Sequence, residues 1–373
     1  MRIQVWDYRD ELEAEYPEIM EAIGRVLRSG RLILGESVRS FEDEFAAYCG
    51  VRYGVGVNSG TDALMLALIA LGVGPGDEVI TVANTAIPTV SAIVSAGAIP
   101  RFVDIVPGTY LMDTSRLERA VTPRTKCIIP VHLFGQCVDM DAVLAVALKH
   151  GLRVLEDCAQ SHGARFRDRI AGSMGDAAAV SFYPTKILGG YGDGGMVLTN
   201  SEAIATRVRR LRMYGTEKTY YSIEHGYNSR LDELHAEILR SKLRHLDEYI
   251  ARRRELAARY DRKLAGCDLV LPQTAPTNTH AFYLYVVRHP DRDRIVAELA
   301  RLDVFVNISY PWPVHTMPAY AHFGYKNGDL PHTEAAATQI FSLPMYPGLT
   351  NQQQDVACER LLGLLAGVQQ ASA

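Results

Sequence analysis

A lysine in a glycine-dense loop is the first residue of this chain with chemistry to offer. Lys186 stands in the run Ser181-Phe182-Tyr183-Pro184-Thr185-Lys186-Ile187-Leu188-Gly189-Gly190-Tyr191-Gly192-Asp193-Gly194-Gly195. The apolar segment Ala177-Ala178-Ala179-Val180, which reads as a buried strand, delivers the chain to it. Only seven of the 39 lysines and arginines are lysines. A lysine amine held against flexible glycines can attack a carbonyl and form a Schiff base. The same residue can equally be a solvated charge in a turn.

Two other groups carry chemistry that would complement such an amine. Asp157 closes the strand-like run Leu152-Arg153-Val154-Leu155-Glu156. Ligand groups in open α/β sheets gather at the carboxyl ends of strands. A carboxylate there can pair with a protonated heteroaromatic nitrogen, or it can simply cap the next helix. Asn58-Ser59-Gly60-Thr61-Asp62 precedes an apolar helix expected over 63–71. Its backbone N–H groups and hydroxyls suit a phosphate, although the same residues make an ordinary N-cap. Ser181, at a neighbouring strand end, adds another hydroxyl. Together these groups call for a cofactor with an aldehyde, a basic nitrogen and a phosphate, and pyridoxal 5'-phosphate has all three.

The elements that must position these residues follow from periodicity. Ile19, Ile23, Val26 and Leu27 share one face of a helix over 15–29, with Gly30 as its stop. Val38, Phe41, Phe45 and Tyr48 mark a second helix. Strands are then expected at 77–82, 99–104, 127–133, 152–156 and 196–199, alternating with helices at 88–96, 140–150 and 201–214. This alternation predicts an α/β fold with a mostly parallel central sheet covered on both faces. A long charged helix over 231–264 contains the domain boundary. It divides a large cofactor-binding domain, residues 1–245, from a small C-terminal α+β domain, residues 246–373. Short elements such as 280–288 and 292–302 belong to the latter.

Composition narrows the function. The 373 residues suffice for a large core, and 48% hydrophobic with 22% charged is ordinary for a globular protein. A net charge of −4 gives no basic surface for nucleic acid or anionic membrane. The N-terminal residues lack the apolar core of a signal peptide, and no apolar run is long enough to span a bilayer. The six cysteines are scattered without a C-x-x-C pair, which fits reduced thiols in a cytoplasmic protein and gives no metal site.

With these motifs placed, the chain resembles the DegT/DnrJ/StrS family of sugar aminotransferases, which are pyridoxal phosphate-dependent and have the fold type I architecture of aspartate aminotransferase. The resemblance runs nearly end to end, through Ser29-Gly30-Arg31-Leu32-Ile33-Leu34-Gly35, Asn58-Ser59-Gly60-Thr61-Asp62, Pro130-Val131-His132-Leu133-Phe134-Gly135-Gln136, Glu156-Asp157-Cys158-Ala159-Gln160-Ser161-His162-Gly163-Ala164 and Ser342-Leu343-Pro344-Met345-Tyr346-Pro347. It implies that Lys186 carries the Schiff base, that Asp157 pairs with the pyridine nitrogen, and that Gln160 meets the ring's phenolic oxygen. It gives Gly60, Thr61 and Ser181 to the phosphate. Asn228 would reach the phosphate of a neighbouring subunit, which implies a homodimer with shared active sites. Tyr183, Tyr310 and His315 are its candidates for sugar contact, against ordinary packing. One departure stands out: many members place an aromatic residue after Asn-Thr, where this chain has Asn84-Thr85-Ala86-Ile87-Pro88. Ala86 cannot stack, so the ring face falls to Ile87, Pro88 or another residue such as His162.

The implied reaction moves an amino group from L-glutamate, leaving 2-oxoglutarate, to a nucleotide-linked keto sugar. A dTDP-3-keto-6-deoxyhexose giving the 3-amino sugar leads, ahead of a 4-keto sugar or keto-cyclitol. The related dehydratases replace the lysine with histidine, so Lys186 argues against them. A regulatory protein of the same fold is the reading from a different class; no helix-turn-helix or basic patch supports it.

Overall fold

The computed structural model describes residues 1–371. Seven strands, β1 (Tyr53–Val57), β2 (Glu78–Val82), β3 (Ile99–Val103), β4 (Thr125–Ile128), β5 (Arg153–Asp157), β6 (Ala177–Ser181) and β7 (Gly195–Thr199), form one sheet in the order β1-β7-β6-β5-β4-β2-β3. Only β7 runs against its neighbours; the pairings of β2 with β3 and β4, β4 with β5, and β5 with β6 are all parallel. Strands β2, β6 and β7 are buried along their whole length. That is why they read as unbroken apolar runs rather than alternating ones: both faces of a parallel sheet are covered.

Helices α1 (Arg9–Ser29), α2 (Glu36–Cys49), α3 (Gly60–Ala70), α4 (Ile87–Ser95), α5 (Met140–His150) and α6 (Glu202–Leu211) follow. Helix α3 is apolar on every side because β6 and β7 lie against it on one face and α4 and α6 on the other. Helix α1 begins six residues ahead of the expected start. Its first turn, with Asp10 and Glu11, is charged and shows no apolar period. The expected strand 127–133 is shorter, since Pro130 donates no N–H to a ladder. Beyond it Val131 touches β5 only through a single bridge to Asp157.

The expected helix 231–264 is two helices, α7 (Glu233–Leu243) and α8 (Leu246–Lys263), with a break at residues 244–245. Helix α7 packs on α1 and α2. Helix α8 starts in the core around the large sheet, through Leu246 and Ile250. It ends in a second core, through Leu256, Ala257, Tyr260 and Leu264. That second core also holds the antiparallel pair Tyr285–Arg288 and Ile340–Leu343. Ile3, bridged to Val304, belongs to it as well, so the first residues of the chain pack with the last third.

Candidate active site

Because β1, β5 and β6 run parallel, their carboxyl ends share one edge of the sheet, and Ser59, Asp157 and Ser181 converge there. Strand β7 enters at the same edge with Gly195. A Cβ on Gly195 would stand 2.3 Å from the Ser59 carbonyl oxygen, and a Cβ on Gly60 would stand 2.7 Å from Cβ of Ser181. Two glycines therefore let the start of α3 cross β7 and lie against Ser181. Ser59 caps α3, its Oγ accepting from the Asp62 N–H at 3.1 Å. The remaining first-turn N–H groups have no intrahelical acceptor, as at any helix start.

Ser59, Gly60, Asp157 and Ser181 line a cavity of about 310 Å³ together with Thr61, Thr85, Ala86, Pro88, Thr89, Val131, Ala159, Gln160, Tyr183 and Lys186. Cofactor sites commonly have this size and this mix of apolar wall and few polar groups. Asp157 is buried in its floor. Its Oδ1 accepts from the Ala159 N–H at 3.1 Å and its Oδ2 from the Thr89 hydroxyl at 2.8 Å. Burial raises the Asp157 carboxyl above its ordinary value, and the Thr89 and Ala159 bonds and the Lys186 charge offset this only in part. Both hydrogen-bond donors are neutral, so a cationic partner in the cavity fits the carboxylate better than water does.

Lys186 is half-buried on the opposite arm, held by the turn in which its N–H donates to the Tyr183 carbonyl at 2.8 Å. Its Nζ lies 3.5 Å from the Tyr283 hydroxyl and 4.6 Å from the centre of that ring. Burial raises the Tyr283 phenol, but the Lys186 charge and the Thr185 hydroxyl outweigh it and hold the group below its ordinary value. Gln160 is fixed at both ends: its Oε1 accepts from the Phe134 N–H at 2.9 Å and its Nε2 donates to the Tyr310 hydroxyl at 2.5 Å. Phe134 and Tyr310 stack at 6.1 Å, and both adopt left-handed backbone, φ 59° and 60°. Strain of that kind persists where surrounding contacts over-determine it.

Behind the floor, His132 Nδ1 accepts from the Val138 N–H, so its proton sits on Nε2 and is donated to Glu156 at 2.9 Å. Glu156 also accepts from the N–H groups of Gly172, Met174 and Gly175. Cys158 stands close enough to make a three-ligand cluster with this pair. The carboxylate oxygens are already saturated and burial holds the thiol well above its ordinary value, so the group serves as a brace for β5 and not as a metal site.

The structure brings seven of the predicted residues, Gly60, Thr61, Asp157, Gln160, Ser181, Tyr183 and Lys186, onto one cavity wall. Tyr310 joins them through Gln160. Asn228 is exposed and outside its own chain's cavity, although its neighbour Ser229 is tied to Asp62 at 2.7 Å. His315 lies away from this cavity. It is 1% exposed, bonds Glu334 at 3.0 Å, and packs between Phe102 and Tyr325. Its neighbours thus occupy it within a separate small core, and it does not reach the cavity of its own chain. Of the residues considered for the ring face, Pro88 lines the cavity beside Ala86. Ile87 is 47% exposed, and His162 is enclosed by Phe45 and Phe182. Sequence reasoning missed Thr85, Thr89 and Tyr283 as site residues. The i, i+4 spacing of the two threonines was a usable signal, while Tyr283 lies about a hundred residues from Lys186 and carried none.

The residues present fit pyridoxal phosphate: a glycine-made cradle at a helix start, a buried carboxylate whose hydrogen-bond donors are neutral, and an amine lining the same cavity. A sheet of this order with this site defines a fold type I pyridoxal phosphate-dependent transferase. The chain belongs to the DegT/DnrJ/EryC1/StrS aminotransferase family, whose model matches residues 13–362. It is 54% identical, over 99% of its length and 100% of the relative's, to a dTDP-3-amino-3,4,6-trideoxy-alpha-D-glucose transaminase of Micromonospora megalomicea subsp. nigra. It is 45% identical, over 97% of its length and 98% of the relative's, to a pleiotropic regulatory protein of Geobacillus stearothermophilus. Among solved structures it matches S. venezuelae DesV in complex with a ketimine intermediate, with a TM-score of 0.96, 44% identity, and 98% of each chain covered. It is therefore an aminotransferase, and pyridoxal phosphate is its cofactor. No helix among the described residues is long and apolar enough to cross a membrane.

Proposed function

We propose that this enzyme transfers the amino group of L-glutamate to C3 of a dTDP-linked 3-keto-6-deoxyhexose, releasing 2-oxoglutarate and the dTDP-3-amino sugar. The observation that carries the substrate is full-length identity of 54% to a transaminase of that sugar class. It is supported by a site in which every group needed for amino transfer is present.

Bound at this site, pyridoxal phosphate supplies an aldehyde for the amine and a pyridinium that accepts the electron pair left by proton removal. The chain's residues supply the rest. The Asp157 carboxylate would accept a hydrogen bond from the protonated pyridine nitrogen and favour its cationic form. Gly60, Thr61, Ser59 and Ser181 hold the phosphate with helix-start N–H groups and hydroxyls. Gln160 directs its second amide hydrogen to the phenolic oxygen. The Lys186 amine would serve as the base that holds and moves the proton of the donor's α-carbon. The Tyr283 hydroxyl, within 3.5 Å of Nζ, orients that amine. Tyr183, half exposed on the cavity rim, faces incoming sugar, and Tyr310 holds Gln160 in place. Asn228 of a second copy completes the phosphate site in a homodimer. We keep the division into a large domain, residues 1–245, and a small one, residues 246–373, as part of this reading, and the cytoplasm is the compartment for a pathway consuming nucleotide sugars.

The regulatory name of the Geobacillus relative offers a competing reading. Against it stands the complete lysine, aspartate and phosphate cradle, which signalling alone does not need. Incubation with a panel of keto-sugar nucleotides and glutamate, followed by mass spectrometry and NMR of the product, tests the proposal. Amination at C3 of the dTDP sugar is expected. Amination at C4, or of a cyclitol only, sinks the substrate reading, and Lys186→Ala turning over at wild-type rate sinks the mechanism.

A further inference from the structure

Arg253, on α8, carries a charge that the protein does not neutralise. It is 2% exposed. Its acceptors are backbone carbonyls: Nη1 donates to Met345 at 2.9 Å, Tyr283 at 3.1 Å and Phe282 at 3.4 Å. Its Nε is buried with no partner at all. Burial lowers its pKa to about 10, and Glu11 and Tyr283 offset the loss only in part. Buried cations are normally paired with carboxylates, because an uncompensated charge in the interior is strongly destabilising. Glu11, the carboxylate whose charge favours the Arg253 cation, is itself ion-paired with Lys242.

A second cavity of about 360 Å³ opens beside this guanidinium, with Trp6, Tyr8, Tyr183 and Lys186 among its walls. Tyr183 and Lys186 line both this cavity and the one that holds Asp157. Tyr283 joins the two charges directly, its carbonyl on Arg253 and its hydroxyl 3.5 Å from Lys186 Nζ. A small anion seated on Arg253 would therefore lie next to the amine that handles the donor's proton. Four aromatic residues, Trp6, Tyr8, Tyr183 and Tyr191, and the prolines Pro184 and Pro347 supply apolar wall, while the ion-paired Lys242 and Glu11 stand at the same cavity, leaving Lys186 and Arg253 as the cations open to a short aliphatic acid.

We propose that Arg253 binds a carboxylate of the amino donor, L-glutamate, and of its product 2-oxoglutarate, in this second cavity against Lys186. The proposal rests on the donor assignment made above and names the group that selects it. The dicarboxylate would supply Arg253 with a counter-charge that its carbonyl partners do not, so donor binding and neutralisation of Arg253 are one event.

Glutarate, a dicarboxylate with no amine to transfer, is the probe. Titrated calorimetrically into holoenzyme, it binds wild type and binds Arg253→Lys about tenfold or more weakly, the usual worth of a charge-assisted hydrogen bond. In separated half-reactions Arg253→Lys raises KM for glutamate by the same factor and shifts that for the keto sugar less than twofold, a split that general loosening of the fold does not give. Where Arg253→Lys fails to fold, a crystal of wild-type holoenzyme with glutarate decides: a carboxylate on the Arg253 guanidinium supports the proposal. Glutarate bound elsewhere, no binding to wild type, or an Arg253→Lys affinity within twofold of wild type overturns it. A variant that loses dTDP affinity while keeping glutarate overturns it too, by giving Arg253 to the nucleotide. If another amino acid proves to be the donor while glutarate still sits on Arg253, the donor reading fails and the anion site stands.

Discussion

The Thr89 hydroxyl donates to Oδ2 of Asp157 at 2.8 Å, and Thr85 Oγ1 stands 2.8 Å behind it, so a chain of two buried hydroxyls ends on the carboxylate in the cavity floor. The bond stabilises the charged form of a group that burial pushes toward neutrality. Thr89→Val keeps the shape and removes the donor. Burial then raises the Asp157 carboxyl further, the neutral acid persists to higher pH, and the grip on a cationic ring nitrogen is lost sooner as pH falls. The acid limb of the bound cofactor's visible absorbance should move toward neutrality, and cofactor affinity should fall about five- to tenfold for a net loss near 1 kcal/mol. Thr89→Ser should restore both. An unshifted absorbance titration in Thr89→Val would remove Thr89 from any role beyond packing.

Gly60 tests the cradle. Its absent side chain is what allows α3 to lie on Ser181, and the atom a Cβ would strike is itself a Cβ, with no flexible end to yield. Gly60→Ala should weaken cofactor binding at least tenfold, and cost about 1–3 kcal/mol of stability as an overpacked contact. Gly74, with open space where its Cβ would stand, is the control. Absorbance titration of the apoenzyme and thermal unfolding read the two effects. Equal cofactor affinity in both variants would show that the approach to Ser181 is incidental.

His162 is buried with neither ring nitrogen bonded, and burial together with the Lys186 charge lowers its pKa to about 3. Below an unfolded value of about 6.5 the unfolded chain binds a proton that the folded one refuses, so stability falls as pH drops. One such group costs about 2 kcal/mol between pH 6.5 and 5. His280, also lowered to about 3 by burial, adds a second share. His162→Leu should reduce the loss of denaturation midpoint over that pH range, with His280 and His235, also lowered by burial, keeping the remainder. An unchanged slope would mean that His162 is already protonated when folded.

Much of this was legible in the chain because the signals were local. Lys186 and its glycines, Asp157 at a strand end, and Ser59-Gly60-Thr61 before an apolar helix each declare themselves within a few residues, and parallel topology then forces them to one edge. What stayed hidden depends on distant packing. Tyr283 meets Lys186 because the second core folds back on the first, which no window of sequence carries. His315 looked available beside Tyr310, yet Phe102 and Tyr325 enclose it from elements over 200 residues apart in one case. The helix over 231–264 kept its amphipathic character across residues 244–245, so its break was invisible: the two halves serve different cores, and only their partners distinguish them.

Asn228 is exposed, pairs through a single bridge with Met213, and stands outside the cavity of its own chain. If it serves a second copy, each site draws Lys186 from one protomer and Asn228 from the other. Lys186→Ala and Asn228→Ala are then each impaired alone for different reasons. In a mixed dimer one site carries both defects and the other carries neither. Random mixing makes half the dimers mixed, so an isologous pair should recover about a quarter of wild-type activity from two impaired parents. Mixing after mild dissociation, with activity and dimer content followed together, measures it. Activity equal to the average of the two parents, in dimers shown to have exchanged, would place Asn228 with its own chain's chemistry or with none.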